Sequence, residues 1–541
     1  MRVLRTAILI SLLGGLAQPA VARLDMDDLV RTLSAPSPQA IAVQAALDAQ
    51  TDADDPIEML VLEGVRGFYA GRNFELVWLG ARTATPQMAA LRSAMDRAAE
   101  YGLDPASYRT PSLAESYPDV PARLAEADVD FSRVVARFVT HIGSGRIRPT
   151  DISPLITLEP EHPDIAKALA LLSASADVAA DVRTFEPPHA EYAALKVALK
   201  KLRASAEDPA RIVVPEGELL KPGNTNTRVP LLRARLAVAL AEGADPEVYD
   251  EAVVAAVKGF QAEHDLNDDG IVGPRTLVMM NGRSREEEIA SVVANLERWR
   301  WTPRDLGAFY VFVNVPEFTV RVVSNGAVAH ETRVVVGKPT NPTPTFSNAM
   351  SHVIVNPYWN VPTSIVKNEM LPEIRANPYG YFANGEYEVF ARVGGRMRQI
   401  DPFWVDWRMV NASSVQIRQI PGDFNALGRI KFMFPNQHDV YLHDTPSKRL
   451  FQRDYRALSH GCVRVENPLE FADAILPVAA PDWNSTRLER LYGGAERRIN
   501  LDAPVPVHLA YFTASAGPDG TLRFFEDIYA YDAEMTAFLG S

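Results

Sequence analysis

Cysteine is nearly absent from this chain, with one, Cys462, in 541 residues. That excludes any disulfide within the chain. Long basic runs are missing as well. The formal net charge is −13, and without clustered Lys and Arg the chain is poorly suited to nucleic acid or anionic lipid. Past the N-terminus there is no apolar stretch long enough to span a bilayer of about 30 Å. What remains is globular composition, 47% hydrophobic and 23% charged, at a length that suggests two to four domains.

The first residues read as an address. Arg2 and Arg5 give a positive start, Ala7 to Leu16 is apolar but short, and Ala20-Val21-Ala22 supplies a small-x-small cleavage pattern. We expect residues 1–22 to be a cleaved signal peptide and the mature chain to be a soluble periplasmic protein. Exported proteins often pair their cysteines. A lone thiol there is either a small buried apolar residue or a reactive group, and its neighbours decide between the two.

Those neighbours are Ser459-His460-Gly461-Cys462-Val463-Arg464-Val465, with His443 upstream in Tyr441-Leu442-His443-Asp444-Thr445. The thiolate is the reactive form of cysteine, and a histidine within reach can take the proton and later return it to a leaving amine. Gly461 permits a backbone conformation other residues avoid, and the amides around Cys462 are candidates to face a developing oxyanion. Arg429 to Phe434 alternates like a strand, 435–439 is turn-like, and Val440 to Leu442 reads as the returning strand, with His443 near its end. Asn467-Pro468 reads as the cap and first residue of a helix. One thiol and two histidines also raise zinc, but the spacing fits no common zinc pattern.

The run from His443 through Ser459-His460-Gly461-Cys462, an apolar residue and Arg464 resembles the catalytic signature of the L,D-transpeptidase (YkuD-type) family. Asn356 to Pro362, Gly422 to Phe432 and Asn295 to Trp301 are similar to further segments of its large, multidomain members. The resemblance implies that Cys462 is a nucleophile forming a thioester and that His443 is base, then acid. It makes Ser459, His460 and Gly461 site-lining or oxyanion residues, and Arg464 and Tyr441 substrate-binding residues. The group orienting His443 is left open. A backbone carbonyl is common in the family, and a direct Asp444 side-chain pair is disfavoured because adjacent strand residues face opposite ways. No metal or organic cofactor is implied. The implied partner is peptidoglycan, with a stem tetrapeptide as donor and a diaminopimelate amine as acceptor.

A second module stands upstream. Val253, Val257 and Phe260 fall on one helical face. Phe260-Gln261 and the run from Asp268 to Pro274 are similar to a small three-helix peptidoglycan-binding domain. Asp268-Asp269-Gly270 hints at calcium but lacks the ligands of an EF-hand loop, so a helix-ending turn is expected. Leu91, Met95 and Ala98 continue an apolar face that Gly102 to Pro105 breaks.

The expected architecture is therefore α+β and multidomain: a signal peptide (1–22), a helical scaffold (23–210), the peptidoglycan-binding domain (211–281) and a scaffold helix (282–303). A mostly β catalytic domain of sandwich type follows (304–480), with a capping insert at about 362–420, and then a strand-rich extension (481–541). The expected reaction cross-links stems 3→3 with release of D-alanine. Two alternatives stay open: a carboxypeptidase or cysteine hydrolase with the same site, and a non-catalytic wall-binding scaffold.

Overall fold

Proline and short polar caps set the N-terminal region. Helices Pro38–Asp48, Pro56–Ala70 and Pro86–Asp96 each start with proline, after Ser37, Asp55 and Thr85, whose side chains accept amides of the first turn. The computed structural model describes residues 36–539 apart from 51–54, 80–82, 111–120, 206–211 and 265. The expected signal peptide, 1–22, lies outside the described residues. Leu91, Met95 and Ala98 are buried on one face, and Gly102, at φ +71°, ends the run. Helix Pro121–Ser144 is the spine of this region and buries Phe131, Val135, Phe138 and Ile142. Its buried Asp128 accepts the Tyr69 hydroxyl at 2.5 Å and the amides of Trp78 and Leu79 at 2.7 and 2.9 Å.

Helices Val229–Arg235, Glu251–Glu263 and Pro274–Asn281 share a small core with Val214, Leu220 and Tyr249. Val253 and Val257 are buried as expected, but Phe260 is only half-buried and stacks on His264. The third core position belongs to Gln261. Its side chain accepts from the Gly270 amide and donates to the Ile271 carbonyl, which fixes the turn after the helix. Asp269 caps that turn by accepting from the Ile271 amide at 2.9 Å.

Helix Arg285–Trp301 opens with a capping box between Ser284 and Glu287 and joins scaffold to catalytic sheet. Its Glu297 takes the amides of Arg146 and Ile147 and pairs with Arg300 at 2.7 Å. On the other side Arg298 pairs with Asp532 at 2.5 Å.

The catalytic region contains thirteen strands that matter here: β1 (Phe309–Asn314), β2 (Thr319–Ser324), β3 (Ala327–Gly337), β4 (Phe346–Val355), β5 (Trp359–Asn360), β6 (Tyr387–Val393), β7 (Arg396–Ile400), β8 (Val415–Gln419), β9 (Ile430–Met433), β10 (Leu442–His443), β11 (Ala457–Ser459), β12 (Val463–Val465) and β13 (Arg497–Ala510). Nine of them form one sheet in the order β11-β3-β12-β10-β9-β4-β13-β1-β2, and β2 also pairs with β3. The expected sandwich is thus a single sheet rolled back on itself. The reason is the length of β3: residues 327–333 pair with β2, 334–335 with β12, and 336–337 with β11. The expected boundary at 480 does not separate two bodies, because β13 lies between β4 and β1. Its Val505, Val507 and Leu509 belong to the same core as Phe432, Leu442 and Val463.

The remaining four strands, in the order β5-β8-β6-β7, form the insert with the short helices between Thr363 and Phe382. Ile365, Ile374, Phe382, Trp407 and Ile417 give it a core of its own.

Candidate active site

Alternation in a strand sends neighbours to opposite faces, and three short strands use this to build the site. In β9, β10 and β12 the apolar residues Phe432, Leu442 and Val463 are paired and point into the core. The alternate row, Lys431–His443–Arg464, is in register across the same strands and faces the other way. Cys462 immediately precedes β12, and the Val463 amide donates to the Tyr441 carbonyl at 3.1 Å. This ties the strand that Cys462 precedes to the strand bearing His443.

His443 is 4% exposed. Its Nδ1 lies 2.5 Å from the Asp444 carbonyl oxygen. A carbonyl only accepts, so Nδ1 carries the proton, and in the neutral ring Nε2 is the nitrogen with the lone pair. The Asp444 carboxylate is elsewhere, accepting from the Arg429 amide at 2.9 Å and from Lys448 at 2.7 Å. The orienting group is therefore a backbone carbonyl. Burial first, and then the Arg464 and Lys431 charges, hold the His443 imidazole down to about 3. It is neutral at physiological pH and able to act as a base.

Cys462 is half-buried, with its Sγ 3.9 Å from the Asp439 carbonyl oxygen. Burial pushes its thiol up, opposed by Tyr441 and by the charges of Arg464 and Lys431. Burial thus keeps Cys462 as a thiol and His443 as a neutral imidazole, rather than as a thiolate and an imidazolium. The Tyr441 ring packs edge-on to His443 at 5.7 Å between centroids.

The preceding loop is held by its own polar groups. The Ser459 hydroxyl donates to the Cys462 carbonyl at 2.5 Å, and the Gly461 amide donates to Ser459 Oγ at 3.2 Å. The Gly461 N–H, expected among the amides facing an oxyanion, is thus already engaged, and the Val463 N–H is taken by Tyr441. Among the described residues the Cys462 amide is left without such a partner. Gly461 sits at φ +111°, which a side chain would strain. Its carbonyl accepts from Thr343 Oγ1 at 2.8 Å, while that oxygen accepts from the Gly337 amide at 2.8 Å. Tyr529 completes the brace: the Thr343 amide donates to its hydroxyl, which donates to the Gly337 carbonyl.

His460 does not point inward with the others. It is exposed, and its Nε2 lies 2.5 Å from Glu369 Oε1 in the insert, with Lys338 Nζ 3.3 Å away. It joins the insert to the loop before Cys462. Asn467 also departs from expectation: its side chain makes no capping bond to helix Pro468–Ala479, because its backbone, at φ −114° and ψ 72°, lies outside the extended geometry usual for an N-cap.

Sequence reasoning missed Lys431, Thr343, Tyr529 and Glu369. Only Lys431 left a signal: it is the lone cation in Ile430–Met433, at the position whose alternation places it beside His443. The other three are brought in by loops and by a distant segment. Among the described residues no group of three or more His, Cys, Asp or Glu is placed to hold a metal ion.

Comparison with protein families matches residues 308–489 to the L,D-transpeptidase catalytic domain, 63–199 to a scaffold domain and 225–280 to a putative peptidoglycan binding domain. A putative L,D-transpeptidase of Haemophilus influenzae is 34% identical over 267 residues, which is 48% of this chain and 52% of that protein. The chain thus spans about half the length of this relative. Among solved structures, an Ldtfm–avibactam carbamoyl enzyme overlaps 38% of this chain and 49% of its own at 14% identity and a TM-score of 0.18. An L,D-transpeptidase from Mycobacterium smegmatis overlaps 37% and 58% at 12% identity and the same TM-score. At TM-scores this low the overlaps establish neither fold nor function. The family matches do suffice: this chain carries an L,D-transpeptidase catalytic domain, in one polypeptide with a scaffold domain and a peptidoglycan-binding domain.

Proposed function

We propose that this protein is an exported cysteine transpeptidase that cross-links peptidoglycan stem peptides. The supporting observation is the parallel pairing of β10 with β12, which sets a neutral, carbonyl-locked His443 beside the strand that Cys462 opens. His443 Nε2 takes the thiol proton as Cys462 Sγ attacks the carbonyl before the terminal D-alanine of a tetrapeptide stem. The Cys462 amide is the donor available to the oxyanion. The C–N bond then breaks, His443 returns the proton to the departing amine, and a thioester remains on Cys462. The amine of a neighbouring diaminopimelate attacks that thioester, loses its proton to His443 and releases the thiol, giving a 3→3 cross-link. A buried site favours an amine over water only while the cap excludes solvent, and the His460–Glu369 contact bears on that step. Residues 1–22 act as the export signal that places the enzyme in the periplasm. No helix among the described residues is long and apolar enough to cross a membrane.

The test is product analysis by mass spectrometry with disaccharide-tetrapeptide muropeptides, using wild-type and Cys462→Ala protein. A cross-linked dimer that has lost one D-alanine, formed by the wild type alone, is expected. Tripeptide without dimer makes the protein a hydrolase. Unchanged muropeptides with both proteins make it a wall-binding scaffold.

A further inference from the structure

Lys431 and Arg464 flank His443 in one cross-strand row, one on each side. Both are half-buried. Two like charges held across a buried imidazole repel one another, and each has lost part of its hydration. Most arginines and lysines in such positions are paired, as Arg300 is with Glu297 and Arg298 with Asp532. Here, among the described residues, no carboxylate comes within ion-pair distance of either cation. The Arg464 Nε is fully buried and has no hydrogen-bond partner. Around Lys431, the Tyr441 ring lies 5.4 Å from Nζ, and Ile354 is its partner on β4. Arg498, next in the row on β13, adds a further positive charge. Glu496 is the one carboxylate that acts on Lys431, beside the Cys462 thiol, and its Oε2 already accepts the Tyr358 amide at 2.8 Å. A site with two unmatched cations and an unsatisfied buried donor, beside a nucleophile, is complementary to an anion.

We propose that Lys431, together with Arg464, is the receptor for a free carboxylate of the acyl donor adjacent to the scissile bond. This rests on the transpeptidase reading above and extends it to what selects the donor. A tetrapeptide stem has two such carboxylates: the α-carboxylate of the terminal D-alanine that leaves and the side-chain carboxylate of diaminopimelate. Either one places a planar anion against the row that carries an ammonium and a guanidinium on either side of His443, and relieves the repulsion across that residue. The carboxylate is a specificity determinant and takes no part in bond making.

The test uses the full-length Cys462→Ala protein, which binds donor without turnover, and three probes: the disaccharide-tetrapeptide, the same with D-alanine amidated, and the same with the diaminopimelate side chain amidated. Calorimetry is expected to show Lys431→Met weakening the free-acid tetrapeptide about tenfold or more, the effect of losing one charged hydrogen bond. One amidated probe should show the same loss with Lys431 present and no further loss in Lys431→Met, which identifies the carboxylate. Lys431→Arg should restore most of the affinity. Thermal melting of each variant separates loss of binding from loss of fold. The proposal is overturned if Lys431→Met binds all three probes as the lysine protein does, or if the lysine protein itself does not distinguish them. It is also overturned if, in the Cys462 background, Lys431→Met lowers kcat and shifts the pH profile with KM unchanged, since Lys431 would then act only through His443. Failure of the transpeptidase reading looks different: the wild type would form no thioester with the tetrapeptide, while the affinities would still report on the carboxylate.

Discussion

Two charged clusters in this molecule, one fully buried and one half-buried, are built to opposite rules. In the first, Glu297 and Arg300 are both fully buried, and their polar atoms are matched with each other, with the Ile147 amide, and with the Tyr101 carbonyl and Tyr192 hydroxyl. In the second, Lys431 and Arg464 flank His443 with no anion between them among the described residues, and a buried guanidinium N–H goes unmatched. A satisfied cluster holds helix Arg285–Trp301 to the scaffold. An unsatisfied one is a place where the fold has left a free-energy cost for something else to relieve. The two clusters differ in how fully their polar atoms are matched.

The sharpest contrast comes from breaking each cluster. His443→Ala should lower the rate of thioester formation about 10²- to 10⁴-fold, as removal of a general base does, with a smaller loss of stability than Glu297→Ala brings. Intact-mass kinetics and calorimetry check the two halves. Glu297→Ala should do the reverse. Leaving Arg300 buried and unpaired costs about 3–5 kcal/mol of stability, read by denaturant titration, with KM unchanged in whatever protein remains folded.

Acid tests the same contrast more gently. The folded-state pKa of His443, about 3, lies below its unfolded value near 6.5. The unfolded chain therefore binds a proton that the native protein refuses. The stability this group contributes is complete above pH 6.5 and is lost as pH falls toward 3. His443→Gln should flatten that part of the stability–pH curve, measured by melting in buffers across the window. For the same reason, the acid limb of kcat/KM should not fall near pH 6.5. Smaller still, Thr343→Val removes the hydroxyl joining Gly337 to Gly461 and should destabilise by about 1–3 kcal/mol. It should lower kcat more than KM, because it loosens the loop holding Cys462. Least of all, Glu369→Gln breaks an exposed contact with His460 and should move stability by less than about 1 kcal/mol. A change in the ratio of tripeptide to cross-linked dimer would be its signature, read from the muropeptide products.

Much of this was legible in the chain because it is local. The alternation from Arg429 to Phe434, the turn after it and the spacing of His443 to Cys462 placed three strands of the site, and the Phe-Gln and Asp-Gly segments marked the small helical module. The unread part is non-local. Thr343 and Tyr529 reach the catalytic loop from opposite ends of the domain. The orienting oxygen is main chain, and so invisible to any search for side chains. Gln261, a polar residue at a core position, displaced Phe260 because it satisfies a turn that alternation and periodicity do not describe. The strand-rich tail looked separate because strand pairing at long sequence separation leaves no mark in either partner alone.

That last strand has a consequence for how the protein comes to exist. β13 enters the sheet between β4 and β1, about thirty-five residues after Cys462 in the chain. Until that segment has been delivered, β1 and β4 have no common neighbour and the sheet cannot close. Pairings at such separation form late and slowly. A chain emerging N-terminus first would therefore present folded scaffold helices and a wall-binding module while its thiol was still in an unclosed sheet. The helical modules would be folded first, and the strand that follows Cys462 would be closed into its sheet last.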